Sequence, residues 1–215
     1  MDKKPLVYLG GDIMTHGSNL AREEEYEKFL AAELPVDVYS PVQNKDINDK
    51  SNMTEEENNC LAEKIVAADV ERLWNSDITV MNPEQSAIGT MIEMGILYGW
   101  KYMARKLLDI WQETYREFID ENNRIIPMDH KLLADRLYNK LVEIYWKKNY
   151  AHYFDIRTNH LNEKDWRRSF SINQFLYGVI LAATADGTLH NSFDEILPLL
   201  QEEYGKEDKN PIGGK

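Results

Sequence analysis

Three short apolar runs, each ending in a polar or glycine-rich loop, constrain the fold of this chain more than any other sequence feature. They cover residues 6–9, 36–39 and 78–81, and each is too short to form a buried helix. The first run ends at Gly10-Gly11 and the third at Asn82-Pro83, and both dipeptides are typical of loops. We therefore interpret all three runs as buried strands.

The segments between these runs have the spacing of helices. Apolar residues recur with helical periodicity at 20–34, and residues 54–57 form a Thr-Glu-Glu-Glu capping box that opens a helix to about residue 74. Strands that alternate with helices predict an α/β fold with a parallel sheet. In such a sheet ligands bind beyond the carboxyl ends of the strands, where the loops after the three runs would meet.

The alternation stops after the third strand and returns later. The pattern is helical over residues 90–122 and again over 132–150. It then indicates a strand at 153–156, a helix at 171–185 and a last helix opened by Ser192. The segment between the two alternating parts is therefore predicted to be a helical excursion from one domain.

These elements predict a single domain over residues 1–215. Its expected fold class is α/β, a doubly wound parallel sheet of the flavodoxin-like or Rossmann-like kind. A helical insertion is expected at about 101–150 and a flexible tail from about 205. A chain of 215 residues is long enough for one sizeable core of this type.

Charge and cysteine content argue against several classes of function. Asp and Glu outnumber Lys and Arg 37 to 25, and the formal net charge of -12 repels a nucleic acid polymer. Cys60 is the only cysteine, so an internal disulfide or a cysteine metal cluster cannot form, which fits a reducing compartment. No stretch has the apolar length of a signal peptide or a membrane span. We expect a cytoplasmic protein with no membrane partner.

Four positions stand out for chemistry: Tyr8, Asp69, Glu93 and Asn173. Residues 90–93 have the form of a capping box, so Glu93 has a structural interpretation as the partner of the amide at residue 90, and spacing alone favours it. The same place in the first turn of a helix keeps a carboxylate ionised. At the carboxyl edge of a sheet, an ionised carboxylate can also act as a nucleophile toward a sugar carbon.

The other candidates have structural interpretations as well. Tyr8 on the first strand is an ordinary core residue, although a buried hydroxyl would need a partner such as a catalytic carboxylate. Asp69 stands late in a helix, where an acidic residue opposes the helix dipole and fits a solvated face. Asp77 precedes the third strand and fits the end of a turn.

Known metal and nucleotide motifs are missing from the sequence. Residues 46–57 approach a calcium loop, but Lys50 and Ser51 stand where an oxygen ligand and a glycine are required. The five histidines lack metal-ligand spacing. Gly10-Gly11 lacks both the Walker lysine and the three-glycine dinucleotide fingerprint. We therefore predict no metal and no cofactor.

Taken together, five segments of the sequence resemble the nucleoside 2-deoxyribosyltransferase family. Their order and most of their spacings agree with that family. The resemblance covers about residues 5–100 and 152–203, and the predicted insertion has no counterpart in it. The five segments are residues 7–11, 68–69, 76–78, 83–95 and 172–178.

The resemblance implies a mechanism and a set of site residues. Glu93 would attack C1′ of a 2′-deoxynucleoside, Tyr8 would orient that carboxylate, and Asp69 would hold a sugar hydroxyl or assist proton transfer at the base. The base leaves, a deoxyribosyl ester forms on Glu93, and a second free nucleobase attacks it with net retention. Asn173 would reach into the active site of a neighbouring subunit, which implies a homo-oligomer. Further substrate contacts would come from Gly10, Gly11, Asp77, Gln85, Ser86 and Gly89.

One position departs from the family. Its members usually carry an aspartate six residues before the nucleophile, in contact with the base, and this chain has Ala87 there. Base recognition would then pass to Glu84, Gln85 or the loop at 43–50, or the substrate would differ. Two alternatives stay open: a (deoxy)nucleotide N-glycosidase that transfers the sugar to water, and a catalytically reduced nucleotide-binding protein.

Overall fold

The computed structural model describes residues 4–44, 53–84, 86–117, 131–153 and 172–205. The elements, in chain order, are β1 (Leu6–Gly11), α1 (His16–Ala31), β2 (Asp37–Tyr39), a 3-10 turn (Pro41–Gln43), α2 (Glu55–Asn59), α3 (Leu61–Asn75), β3 (Ile78–Asn82), α4 (Ile88–Glu117), α5 (Lys131–Trp146), β4 (Lys148–Ala151), α6 (Gln174–Ala183) and α7 (Phe193–Tyr204).

The four strands form one parallel sheet in the order β2-β1-β3-β4. Val7 of β1 lies opposite Val38 of β2 and Ile78 of β3, and Ile78 lies opposite Lys148 of β4. Helices flank this sheet, so the predicted α/β class is confirmed, and the arrangement is consistent with a flavodoxin-like or Rossmann-like fold. The strand order reverses between β1 and β3, and this switch point is where open α/β sheets bind ligands.

Alternate residues of each strand pack against opposite helical layers, because successive side chains of a strand point to opposite faces. One face packs against α1 and α7 through a core of Val7, Leu9, Phe29, Ile78, Val80, Tyr150, Phe193, Ile196 and Leu200. The other face packs against α3, α4 and α6 through a core that includes Tyr8, Leu73, Met81, Met94, Leu97, Ala151, Ile180 and Ala183. The residue alternation therefore assigns each strand side chain to one of two cores.

The fourth strand lies earlier than predicted. Residues 148–150, which the sequence assigned to the helical insertion, belong to β4, and α5 ends at Trp146. The part of the predicted 153–156 strand beyond Tyr153 lies outside the described residues. The sequence around β4 is rich in aromatic residues, and their spacing is compatible with a helix as well as with a strand. Buried Asn149 explains the strand: its amide oxygen accepts from Thr79 Oγ1 at 3.0 Å, and its amide nitrogen donates to the Ala183 carbonyl at 3.0 Å.

Other boundaries differ by less. The predicted helix at 54–74 is interrupted at Cys60 and forms two helices, although the capping box at its start is present in full. Ser192 precedes α7 as predicted. Beyond Gly205, the predicted tail lies outside the described residues. Within the described part of the chain, no helix is long and apolar enough to cross a membrane.

Candidate active site

The side chains of Tyr8 and Glu93 meet on the face of the sheet covered by α3 and α4. Tyr8 follows Val7 on β1 and points into this layer, where it is fully buried. Its hydroxyl donates a 2.7 Å hydrogen bond to Glu93 Oε1. The two residues that the resemblance pairs, 85 positions apart in sequence, are thus in direct contact.

The capping interpretation of Glu93 is wrong. Helix α4 begins at Ile88, so Glu93 lies in its second turn, and no acidic residue occupies the first turn. Thr90 is buried within that first turn. The Met91 amide already forms a helical hydrogen bond to the Ala87 carbonyl, at 2.9 Å. The Glu93 carboxyl therefore accepts a hydrogen bond from Tyr8 and does not cap the helix, and the helix dipole acts on it less than expected.

Burial dominates the electrostatics of this pair. Desolvation raises the pKa of Glu93 to about 7; the hydrogen bond from Tyr8 lowers that pKa, and the negative charge of Asp69 raises it. Burial also raises the pKa of Tyr8 far above its ordinary value, and the charges of Glu93 and Asp69 add to this effect. Tyr8 therefore remains a hydrogen-bond donor, while Glu93 exchanges its proton near neutral pH.

Asp69 on α3 belongs to the same part of the layer, since its charge acts on both Tyr8 and Glu93. It is half-buried rather than solvated. Burial raises the pKa of Asp69, and its interaction with the Tyr39 hydroxyl opposes that shift. The solvated-face interpretation of Asp69 is therefore wrong, and two carboxyl groups of raised pKa lie near one tyrosine hydroxyl.

Sequence reasoning missed the side chains around Tyr39. The Tyr39 ring lies 5.5 Å from the Tyr8 ring between centroids, and the Arg72 guanidinium lies 5.1 Å from the Tyr39 centroid. The Asn44 amide nitrogen donates to the Tyr39 hydroxyl at 3.4 Å. Tyr8 and Tyr39 are neighbours in the β1–β2 register, so the end of the second apolar run carried a signal that could have identified Tyr39.

Gly10 and Gly11 have steric reasons to be glycine. A Cβ at Gly10 would lie 2.7 Å from the Met81 sulfur, and a Cβ at Gly11 would overlap the Arg22 guanidinium. Gly10 therefore belongs to the packing of the Glu93 face, and Gly11 to the packing of the α1 face.

Asp77 is not part of this arrangement. It precedes β3 at the amino edge of the sheet, where its carboxylate accepts from the Leu6 amide at 2.8 Å and its own amide donates to the Leu6 carbonyl at 2.8 Å. These bonds tie the starts of β1 and β3 together. Asp77 therefore ends the turn before β3, as the turn interpretation predicts, and it lies at the opposite edge of the sheet from the carboxyl ends of the strands.

The remaining predicted contacts are spread over the carboxyl edge. The exposed Ser86 donates to Asp12 Oδ2 at 3.1 Å, and Gly89 is exposed in the first turn of α4. Ala87 is buried, with 3% of its surface exposed, so its methyl group belongs to the core. The predicted site residue Gln85 lies outside the described residues.

Asn173 is the N-cap of α6. Its side-chain oxygen accepts from the amides of Phe175 and Leu176 at 2.9 and 3.3 Å. The residue is exposed and makes these bonds within its own chain, so it has a structural role that the sequence interpretation did not include.

Among the described residues, no group of three or more His, Cys, Asp or Glu side chains is placed to hold a metal ion.

No protein-family model matches the sequence, and no curated protein matches it. Among solved structures, the chain is similar to a conserved protein from Enterococcus faecalis V583. The TM-score is 0.56 at 17% sequence identity, over 93% of this chain and 99% of that one. At this identity the similarity supports the fold alone.

Proposed function

We propose that this chain is a nucleoside 2-deoxyribosyltransferase, an enzyme that cleaves the N-glycosidic bond of a 2′-deoxynucleoside and passes the sugar to another base. The observation that carries the proposal is the buried 2.7 Å hydrogen bond from Tyr8 to Glu93, with the charge of Asp69 beside it. This is the set of groups that the sequence resemblance assigns to catalysis.

Tyr8 fixes one oxygen of the nucleophile and leaves the other free. In the first step, Glu93 Oε2 forms a bond to C1′ while the C1′–N bond breaks and its electrons leave with the base. In the second step, a nitrogen of the incoming base bonds to C1′, the incoming base gives up its proton to the group that protonated the leaving base, and the ester oxygen returns to Glu93 as carboxylate. Two inversions at C1′ give net retention.

Asp69 supports this chemistry as the second carboxyl group. A base that leaves as an anion is unstable, so a proton at the leaving nitrogen lowers the barrier. Burial raises the pKa of Asp69, which increases the fraction that carries a proton near neutral pH. Asp69 can therefore supply that proton or hold a sugar hydroxyl.

The proposal includes a homo-oligomer in which Asn173 approaches a neighbour's site. An apolar stripe on α4 supports self-association, because it is exposed in the isolated chain and α6, with Asn173 at its start, packs against this helix. Gly95 and Gly99 lie within the stripe, both exposed with open space around them, and small residues allow close helix pairing. Its apolar members are Ile88, Ile92, Tyr102, Met103 and Ile110.

The test is a product assay. Deoxyadenosine, deoxyinosine, thymidine or dCMP is incubated with the protein, with and without a second free base, and the products are separated by chromatography. Transfer predicts a new deoxynucleoside only when the second base is present. Free deoxyribose or its 5-phosphate in both reactions would instead identify a hydrolase.

The covalent step has its own test. A 2-fluoro sugar analogue slows ester hydrolysis and should leave one glycosyl unit on the peptide that contains Glu93, detected by mass spectrometry. Glu93→Gln should show no adduct and no turnover while it remains folded. An active Glu93→Gln protein would contradict the mechanism.

A further inference from the structure

Tyr39, at the end of β2, lies beside Tyr8 on the face of the sheet that carries Glu93. Strands β1 and β2 are parallel neighbours, and Tyr8 is directly opposite Tyr39 in their register. Side chains at paired positions of neighbouring strands point to the same face of a sheet. The two rings are accordingly close, with 5.5 Å between their centroids and 37° between their planes. Tyr39 therefore packs against the same core as Tyr8.

Helix α3 brings Asp69 to this second tyrosine. Arg72 follows Asp69 by three positions, and side chains with that spacing share one face of a helix. The Arg72 guanidinium lies over the Tyr39 ring, 5.1 Å from its centroid, so this face of α3 covers Tyr39. From the same face the Asp69 carboxyl interacts with the Tyr39 hydroxyl, and this interaction lowers the pKa of Asp69.

The hydrogen bonds of the Tyr39 hydroxyl have a defined direction. The Asn44 amide nitrogen donates to the Tyr39 oxygen at 3.4 Å. A phenol has one proton to donate, and an ionised carboxylate can only accept. The Tyr39 proton is therefore available to Asp69, and the donor on the phenol oxygen polarises the hydroxyl in the same sense.

Tyr39 also keeps this proton at neutral pH. Burial raises the pKa of Tyr39; the hydrogen bond from Asn44 lowers it, the charge of Asp69 raises it, and Arg72 lowers it. The outcome is a pKa above the ordinary value, so Tyr39 remains a hydrogen-bond donor.

The two tyrosines thus act on two different carboxyl groups. Tyr8 donates to Glu93, which follows it 85 positions later, and Tyr39 serves Asp69 on the neighbouring helix. The carboxyl groups are coupled, because the charge of Asp69 raises the pKa of Glu93. The titratable and charged groups that face Asp69 are Tyr39 on β2, Tyr8 on β1, Glu93 on α4 and Arg72 on its own helix.

We propose that Tyr39 is a positioning residue of this site: its hydroxyl donates to the Asp69 carboxylate and holds that group beside Glu93, as Tyr8 holds Glu93. The inference rests on the proposed function for the step that Asp69 performs. When Asp69 passes its proton to the nitrogen of the leaving base, the Tyr39 hydroxyl stabilises the carboxylate that forms. The incoming base then returns a proton to Asp69, which restores the carboxyl group.

The first measurement needs no substrate. The protein is isotopically labelled at its aspartate carboxyl carbons, and NMR follows the titration of Asp69, whose signal is identified by its absence in Asp69→Asn. Tyr39→Phe keeps the ring beside Tyr8 and removes only the hydroxyl, so the midpoint of Asp69 should move to higher pH. Asn44→Ala should move it in the same direction by less, because Tyr39 becomes a weaker donor.

Tyr26→Phe is the matched control for this titration. Tyr26 lies on α1 and packs against the core on the opposite face of the sheet, so loss of its hydroxyl should leave the Asp69 midpoint unchanged. A shift in Tyr39→Phe alone then reports the local hydrogen bond and excludes a general effect of removing a tyrosine hydroxyl.

The second measurement is kinetic. With a deoxynucleoside that the wild type turns over, Tyr39→Phe should lower kcat about tenfold and leave KM within about twofold, because proton transfer is impaired and substrate binding is not. Asp69→Asn removes the proton donor itself. Tyr39→Phe added to Asp69→Asn should cause no further loss of kcat, since Tyr39 acts through Asp69.

An Asp69 midpoint that is unchanged in Tyr39→Phe would overturn the inference, even in a protein that transfers deoxyribose. A further loss of kcat in the double variant would also overturn it, because Tyr39 would then act independently of Asp69. The proposed function fails separately. A shifted midpoint in a protein that forms no covalent adduct on Glu93 rejects the transferase and keeps the bond between Tyr39 and Asp69.

Discussion

Tyr8 and Glu93 form a pair in which each group changes the ionisation of the other. The pKa of Glu93 is raised to about 7 chiefly by desolvation, so at neutral pH the carboxyl group is close to half protonated. Only the carboxylate is a nucleophile. Tyr8 donates to the carboxylate and favours that form, while the charge of Asp69 disfavours it.

The pH dependence of stability should report this burial. The pKa of Glu93 rises from 4.5 to about 7 on folding, so the folded state holds the proton longer and the free energy of unfolding falls as pH rises between these values. The loss approaches about 3 kcal/mol above pH 7. Glu93→Gln cannot ionise and should lack this loss, measured by urea unfolding at pH 5 and pH 8. Glu27→Gln, exposed on α1, should behave as wild type, and an unchanged pH dependence in Glu93→Gln would contradict the raised pKa.

The pH profile of kcat/KM should move in opposite directions in two variants. In the wild type, kcat/KM should fall as pH drops below about 7, because the carboxylate is protonated. Tyr8→Phe removes a bond that lowers the pKa of Glu93, so its midpoint should lie higher. Asp69→Asn removes a charge that raises that pKa, so its midpoint should lie lower. A purely structural role for either residue would lower activity without moving the midpoint.

At this scale the sequence allowed Tyr8, Asp69 and Glu93 to be predicted, because residue types and their spacing match a known pattern. It did not allow Tyr39 or Arg72 to be identified. Those depend on which strands are neighbours and on which side chains of adjacent elements meet. Both are properties of the folded chain, and local patterns do not contain them.

At the scale of elements, strands bounded by glycine or proline were predictable and the start of a long helix was not. The runs at 6–9 and 78–81 correspond to β1 and β3, each one or two residues longer than predicted. Helix α4 begins before its capping-box pattern, so the pattern at 90–93 misplaced Glu93 by a turn. Backbone bonds around Ala87 start this helix, and no side-chain sequence signature marks them.

Two variants of Asn173, at the start of α6, can separate its effect on stability from any effect on activity. Asn173→Ala should lower the free energy of unfolding by about 1 kcal/mol, because the amides of Phe175 and Leu176 lose their acceptor. Asn173→Asp keeps an acceptor and should unfold like wild type, with an added charge favourable at a helix start. If the residue contacts a neighbour's substrate, Asn173→Asp should lose kcat/KM without losing stability. Full activity in Asn173→Asp would leave the cap as its only role.

For the whole molecule, the question is what covers the apolar stripe of α4. Ile88 and Ile92 are 67% and 60% exposed, and they lie four positions apart on one face of a 30-residue helix. A face of this kind, with glycines that permit close approach, is typical of helix pairing across a two-fold axis. The proposed active site would then depend on two copies of the chain.

Ile92→Glu tests that dependence directly. A charge in the middle of the stripe should convert the oligomer to monomers, measured by light scattering on a sizing column, and activity should fall with assembly. Leu30→Glu places the same charge on an exposed apolar position of α1, so it should leave both assembly and activity unchanged. A wild-type protein that is monomeric and active at assay concentration would reject the shared site.

Mixing two inactive variants gives the most specific result. If Glu93 and Asn173 of one site come from different copies, a dimer of Glu93→Gln with Asn173→Asp has one doubly altered site and one unaltered site. Random exchange between equal amounts makes half of the dimers mixed, so about a quarter of wild-type activity should return. If both residues serve the site of their own chain, every site in the mixture carries one change and no activity should return. Mild denaturation and refolding of the mixture ensures exchange, and the same treatment of each variant alone is the control.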